Sequence, residues 1–571
     1  MSDVTGRTDS RLGTLKRHKW LLVILCVAFV LRLGFMLKFT PVISGDGCEY
    51  IRMGMELRDG KALTGVFEWP ETMYGTFFPI LIAGLSHLGL SAEHAAKFLA
   101  LIFGTGLVLL AFLLAKYVYG ERVAHYVAML LAIFPVYVAL SGSVFNETIY
   151  LTLWIAGIYW AIRALDSFRA RDFLLAGMFF GFSTLSRPEA FAYPIFIIFA
   201  TGVVALFRRT EWLKALRGAA LLFATWFVLM VPYAVFLHAH TGQYRFEGKW
   251  NINYTLGNRI DSGMGYFQAG LGLDDKLQLV GPLLDSSLYA AYTPYPHSIG
   301  DKLRYFGRAI HRNWPTAYAE VFSVDFGGPV TMLLVVLGLF GAEWSVRQLR
   351  HEFILVVMAL SIVVLMLTAA HLEHRYSYPL PAIVLLWAGA GLESFHCWAK
   401  QTLNGWGERA RSLSGVGGAI GVAGLCLTLI VFSIVGVRTD FYLMTQGGDY
   451  LGIKQAGLWL GSHDSGPKRI FGFEGRVAYY SGGTNIIFPY ADSATTLRYL
   501  DSKNIDYIVL DSMDVRSVPT LGQWFANGVP DSRAHLIYES TEGSSTDRIR
   551  VYSWDGSRIS KNATSSRTEK E

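Results

Sequence analysis

The sequence predicts a polytopic α-helical membrane protein with a small α/β domain outside the bilayer. Three observations lead there. Hydrophobic residues make up 52% of the 571-residue chain and charged residues only 16%, where a soluble domain carries about a quarter charged residues. Apolar windows of about 18 to 22 residues, enough to cross some 30 Å of hydrocarbon, recur as far as position 440. Beyond it the pattern changes to short β-like runs separated by polar turns.

Eleven spans are expected, near residues 20–39, 94–115, 123–140, 147–162, 172–185, 190–207, 217–237, 329–346, 353–370, 378–395 and 416–437. The first run is too long for a signal peptide, and no small-residue cleavage site precedes Arg32 and Lys38, so it is expected to remain as a span. Basic residues mark the cytoplasmic side. Arg7, Arg11, Lys16, Arg17 and Lys19 precede the first span. Alternation then brings Lys116 and Arg122, Arg163, Arg169 and Arg171, and Arg208, Arg209, Lys214 and Arg217 to the same side. Arg347 and Arg350, then Lys400, Arg409 and Arg411, follow them. Every inside connection is basic, which predicts N-terminus in and C-terminus out. The net charge of +6 therefore calls for no nucleic-acid partner.

On the outside fall three short turns, at 141–147, 186–189 and 371–377, and two long loops, at 41–93 and 238–328. The membrane region is thus expected over 1–440 and an extracytoplasmic α/β domain over 441–556, with a disordered polar tail at 557–571. In that domain KRIFGF, NIIFPY, DYIVLD, HLIYES and RIRVYSW read as strands, and 493–504 as a helix following Leu497 and Leu500. No internal repeat is evident.

The cytoplasmic connections are too short for a nucleotide-binding domain, and no GxxxxGK[ST] loop occurs. The GGAIGVAG run lies inside a span, where small residues serve helix packing. Chemistry is therefore expected outside, where soluble nucleotide donors are absent and an activated substrate must arrive on a lipid. Cys26, Cys48, Cys397 and Cys426 are scattered, without disulfide or zinc spacing.

The outward turns hold Glu147, Arg187, Glu189, Glu373 and Arg375, and the first outer loop opens with Asp46 and Glu49 in GDGCEYIRMGMELRDGKALTG. Arginines on this face oppose the inside bias, and an arginine near hydrocarbon costs a few kcal/mol unless it pairs or lines a cavity. Carboxylates that can take a proton and guanidiniums that can grip a phosphate are thus gathered on one side. Arg32, in the outer half of the first span, is a further candidate. Plainer roles exist for each. Asp46 or Glu147 would cap a helix, Arg187 and Glu189 would pair within a turn, Arg375 would anchor a helix end, and Arg32 would snorkel. His371, Glu373 and His374 lack a third convincing ligand, so no metal site is expected.

Asp46, Tyr50 and the Leu-x-x-Gly of 57–60 resemble the first-loop signature of polyprenyl-phosphate-sugar-dependent GT-C glycosyltransferases, the superfamily of protein O-mannosyltransferases and the lipid A aminoarabinose transferase. TFFPILIAGLSHLGL, SRPEAFAYP and HRYSYPLPAIVLL are similar to later segments in the same order. Many members have an Asp-Glu pair at the first site; here Gly47 follows Asp46, which leaves Glu49 to take the second carboxylate's place or a single acid to suffice.

The resemblance implies inverting transfer of a sugar from a polyprenyl-phosphate donor to an acceptor hydroxyl on a glycan, lipid or protein. This would occur on the periplasmic face of a cell inner membrane. It implies Asp46 as general base with Glu49 beside it, and Arg375, Arg187 and Arg32 as donor-phosphate ligands. Tyr50, Glu147, Glu189, Glu373 and Tyr376 would position substrate, no cofactor is implied while the need for a divalent metal stays open, and Trp250, Tyr254, Tyr266 and Trp314 would shape the acceptor groove. The alternative is a transporter or flippase for a lipid-linked amphipathic substrate. It fits less well, because transporters are built from repeats with broken helices near mid-membrane.

Overall fold

The computed structural model describes residues 5–207, 211–279, 298–322, 328–342, 344–405, 408–439, 450–540 and 548–555. A long first helix, α1 (Thr5–Phe39), leads into α2 (Gly45–Arg58) and α3 (Phe77–His87) of the first loop predicted to lie outside. Next come α4 (Ala92–Tyr119), the pair α5 (Glu121–Ile133) and α6 (Pro135–Gly142), α7 (Glu147–Ser167) and α8 (Ala170–Ser186). A 3-10 turn, Pro188–Phe191, opens α9 (Ala192–Phe207), and α10 (Trp212–Thr241) ends at the second outer loop. That loop holds α11 (Trp250–Asp261), α12 (Tyr266–Leu271) and α13 (Ile299–Val321). The bundle closes with α14 (Gly328–Phe340), α15 (Val346–Thr368), a 3-10 turn at His374–Ser377, α16 (Pro379–Gly405) and α17 (Glu408–Thr439).

Each of the eleven predicted segments coincides with a helix or helix pair. Among the described residues, eight helices are long and apolar enough to cross a membrane, or nine if the bent pair α5–α6 is one span. The two segments outside that count are α8, at 17 residues, and α14, at 13.

The α5–α6 bend of 56° has a local cause. Pro135 has no N–H to give the Leu131 carbonyl one turn back, and in an apolar bundle an unpaired carbonyl is costly. Arg32 supplies the missing donors. Its guanidinium reaches the carbonyls of Leu131 at 3.0 Å, Ala132 at 2.9 Å and Ala28 at 3.0 Å, and Ser141 Oγ at 3.2 Å. The residue is 0% exposed. This corrects the expectation that Arg32 binds the donor phosphate: a kinked helix consumes its hydrogen bonds. Arg32→Leu should strand at least two buried carbonyls, at about 1–3 kcal/mol each. A lowered Tm with an unchanged donor KM is the expected result.

The C-terminal sheet runs β2-β1-β3-β5-β4, with β1 (Arg469–Gly472), β2 (Thr484–Ile487), β3 (Tyr507–Asp511), β4 (Ala534–Glu539) and β5 (Ile549–Trp554). The strands β1, β2 and β3 are parallel, and β5 runs antiparallel to β3 and β4. Helices α18 (Leu451–His463), α19 (Arg476–Ser481), α20 (Ser493–Ser502) and α21 (Pro519–Asn527) complete the domain. The expected helix at 493–504 is α20, capped by Asp492, which accepts from the Thr495 N–H at 2.8 Å. The expected domain boundary at 440 and the tail at 557–571 lie outside the described residues.

This domain docks on the first outer loop. Asn485 of β2 bonds the Val66 carbonyl through its N–H at 2.7 Å, Tyr480 Oη accepts from the Ile43 N–H at 2.9 Å, and Arg52 reaches the Ala478 and Gly483 carbonyls, each at 3.3 Å. The sheet therefore lies at the α2 end of the bundle.

Candidate active site between two cavities

Ser44 caps α2, its hydroxyl accepting from the Gly47 N–H. That leaves Asp46, in the first turn, free of the capping role. One of its oxygens accepts from the Tyr74 hydroxyl at 2.9 Å, and the other is bonded by Arg375. Burial pushes the Asp46 carboxyl up, but the Arg375 guanidinium and the Tyr74 hydroxyl outweigh it and hold the group below its usual range.

From Asp46 the charges alternate. Arg375 also pairs with Glu373 at 2.5 Å and lies 3.9 Å from Glu147. Glu147, the first residue of α7, is bonded by Arg187. Arg187 in turn forks onto Glu189, with two contacts of 3.3 Å, and Glu189 meets Lys249 at 3.6 Å. The Arg187 guanidinium lies 5.9 Å from the ring centres of both Tyr150 and Tyr376. The local turn pair of Arg187 and Glu189 does form, but within this larger network.

Two cavities meet at these cations. One, of about 250 Å³, is polar and lined by Asp46, Tyr50, Tyr74, Glu147, Glu373 and Tyr266, among others. The second, also about 250 Å³, is mostly apolar and runs between α9 and α15 past Phe191, Ile362, Leu365 and Pro379. Arg187, Lys249, Arg375 and Tyr376 line both. The arrangement can receive a molecule with an oily part, an anionic centre and a polar head in that order.

The structure thus brings Asp46, Tyr50, Glu147, Arg187, Glu189, Glu373, Arg375 and Tyr376 together, from positions up to 330 residues apart (46 to 376). Glu49 is elsewhere. It is buried against the Val66 N–H, which it accepts at 2.9 Å, and does not line either cavity. Burial, with Glu71 close by, raises its carboxyl well above the usual range. Nor could a carboxylate stand at 47, since a Cβ on Gly47 would lie 2.8 Å from both Ser44 Oγ and the Val144 carbonyl oxygen. Asp46 is the acid that α2 presents to the cavity.

Three residues of the site escaped the sequence reading. Tyr74 lacks any charge to signal it. Asn146 donates to the Tyr50 hydroxyl at 3.1 Å. Lys249 did carry a signal, being basic in an outer loop against the bias, as Arg187 and Arg375 are. It is placed by Gly248, where a Cβ would lie 1.9 Å from the Thr72 carbonyl oxygen, so the two outer loops touch backbone to backbone. Of the aromatics expected in an acceptor groove, Tyr266 lines the polar cavity. Tyr254 packs on Tyr305 at 5.1 Å, Trp314 is 58% exposed on α13, and the Trp250 side chain lies outside the described residues. His374 is bonded to Glu320 and His371 packs on Tyr266. Among the described residues no group of three His, Cys, Asp or Glu side chains is arranged to hold a metal ion.

Comparison with known proteins adds one family match and three structural likenesses. Residues 75–236 match the family model of dolichyl-phosphate-mannose-protein mannosyltransferase. The oligosaccharyltransferase of Archaeoglobus fulgidus in its apo form superposes with a TM-score of 0.61 at 13% identity, over 94% of this chain and 74% of that one. ArnT from Cupriavidus metallidurans, bound to undecaprenyl phosphate, gives a TM-score of 0.53 at 13% identity, over 94% and 98% of the two chains. The archaeal oligosaccharyltransferase AglB, solved with an inhibitory peptide and a dolichol-phosphate, gives 0.57 at 14% identity over 88% and 70%. No curated protein matches the sequence.

Proposed function

We propose that this chain, which has the GT-C fold of the Archaeoglobus and Cupriavidus enzymes, is itself a glycosyltransferase. It takes a sugar from a polyprenyl-phosphate donor and passes it, with inversion, to an acceptor hydroxyl on the face where α2 and the C-terminal domain lie. The observation that carries this reading is the junction of an apolar and a polar cavity at Arg187, Lys249 and Arg375. A lipid tail fits the first, a phosphate the cations, and a sugar with its acceptor the second.

The roles follow from the geometry. Carboxylates occupy the guanidiniums: Asp46 and Glu373 on Arg375, Glu147 and Glu189 on Arg187. A donor phosphate competes for the same N–H groups. When Arg375 turns to the phosphate, Asp46 loses the cation that depresses its basicity. It then becomes a better proton acceptor at the moment an acceptor hydroxyl must be deprotonated. As the glycosidic C–O bond breaks, charge gathers on the departing phosphate, and prepositioned cations stabilise it. Three cations at the junction meet the charge of a phosphate diester, so chelator treatment of the purified enzyme should leave turnover unchanged. Isoprenoids of either the undecaprenyl or dolichol type satisfy the apolar cavity, and a transfer assay with synthetic donors of several sugars tests the reading directly. A protein that moves donor lipid across vesicles but forms no glycosidic product would instead be the transporter.

Tyr74 offers a pH test. Its hydroxyl helps to keep Asp46 ionised, and a base works in its ionised form. Tyr74→Phe should therefore move the acid limb of kcat/KM to higher pH, with activity near neutrality less affected. A limb that stays in place would remove Tyr74 from the base's environment.

A further inference from the structure

At the end of the bundle away from Asp46, another cavity opens between α1, α4 and α7. It measures about 580 Å³ and is lined by Leu21, Phe112, Leu113, Lys116, Tyr117 and Tyr159. Leu21 and the start of α2 are separated by most of α1, or roughly 27 Å at 1.5 Å per residue. This cavity is therefore no part of the transfer site. The bias of Lys and Arg predicts that its side is cytoplasmic.

Its construction is amphipathic. Leu21, Phe112 and Leu113 form an apolar floor, and Lys116, Tyr117 and Tyr159 a polar rim. Beside the rim, the Arg163 guanidinium lies 5.7 Å from the ring centre of Tyr117, 5.5 Å from Tyr159 and 5.0 Å from Trp160. Arg347 lies 5.3 Å from the Tyr117 ring. Lys116 is paired with Glu121 at 3.0 Å, and Arg347 with Asp166 at 3.0 Å. Arg163 donates to the Tyr159 hydroxyl at 2.8 Å; among the described residues it makes no ion pair with a carboxylate. The neighbouring α1 side chains Trp20 and Val23 are 62% and 51% exposed, an apolar surface beside the groove.

We propose that this groove binds one anionic glycerophospholipid from the adjoining leaflet, with an acyl chain along the floor and the phosphate at Arg163 and Lys116. Among the described residues Arg163 has hydroxyl and ring partners but no anionic one, and a phosphate matches its remaining fork of donors. The apolar floor selects a lipid over free phosphate. The basic rim selects an anionic headgroup, because a zwitterionic one would bring an ammonium against Arg163, Arg347 and Lys116.

Native mass spectrometry of the full-length protein, released from nanodiscs of equal phosphatidylglycerol and phosphatidylcholine, tests this. Phosphatidylglycerol should be retained at least tenfold over phosphatidylcholine. Arg163→Gln should erase that preference, and Leu113→Trp, which fills the floor without touching charge, should lower retention of both lipids. Equal retention of the two lipids by the wild type would overturn the proposal. Displacement of phosphatidylglycerol by millimolar inorganic phosphate would do so too, as would a preference undiminished by Arg163→Gln or a retention unchanged by Leu113→Trp. Sugar transfer measured in parallel is a separate readout, and its loss or survival speaks only to the other end of the bundle.

Discussion

Asp46→Asn should lower kcat by about 10²–10⁴-fold, the usual worth of a positioned general base, while the variant binds polyprenyl phosphate at least as tightly as the wild type. The second half of that expectation is the more telling. Asp46 occupies Arg375 in the structure, so the donor phosphate must displace it. An amide of the same size is a weaker competitor for the guanidinium, and donor binding should hold or improve as turnover collapses. Near-normal turnover would remove Asp46 from the chemistry. Collapse of both turnover and donor binding, with a lowered Tm, would make the residue a structural partner of Arg375 and Tyr74.

Arg375→Lys should act on the opposite quantity. Arg375 touches Asp46, Glu373 and Glu147 and lines both cavities, where a donor phosphate would stop on the proposed path. Lysine keeps the charge but not the planar two-point contact. Loss of one charge-assisted hydrogen bond is worth about 1.5–3 kcal/mol, so the donor KM should rise by about 10–100-fold. Unchanged donor affinity would refute the clamp. The paired outcome is what distinguishes a base from a phosphate ligand: one variant loses rate and the other loses affinity.

The architecture was legible because membrane helices announce themselves by length and apolarity. The sheet domain was legible because its five strands are short β-branched and aromatic runs between turns. The span count was less so. Pro135 breaks one apolar segment into two helices, and α8 and α14 have only 17 and 13 residues. Within the site, charged residues were legible where they opposed the basic bias of the inside loops, as Arg187 and Arg375 do. That criterion failed for Arg32, since its partners, the carbonyls of Leu131 and Ala132, are set by a helix break about a hundred residues away. Glu49 was misread because spacing along α2 does not reveal that the backbone at Val66 folds back over that face. Tyr74 carries no mark in a sequence, because its value comes from where its loop lies.

If the two cavities are one substrate path joined at a phosphate site, a polyprenyl phosphate must bind across that junction. A structure of the protein determined by cryo-electron microscopy in the presence of a polyprenyl phosphate measures this most directly. Phosphate density is expected within hydrogen-bonding distance of Arg187 and Arg375, with the isoprenoid running past Ile362 and Leu365 and Asp46 released from its guanidinium. A headgroup bound away from both arginines, with the Asp46–Arg375 pair intact, would contradict it.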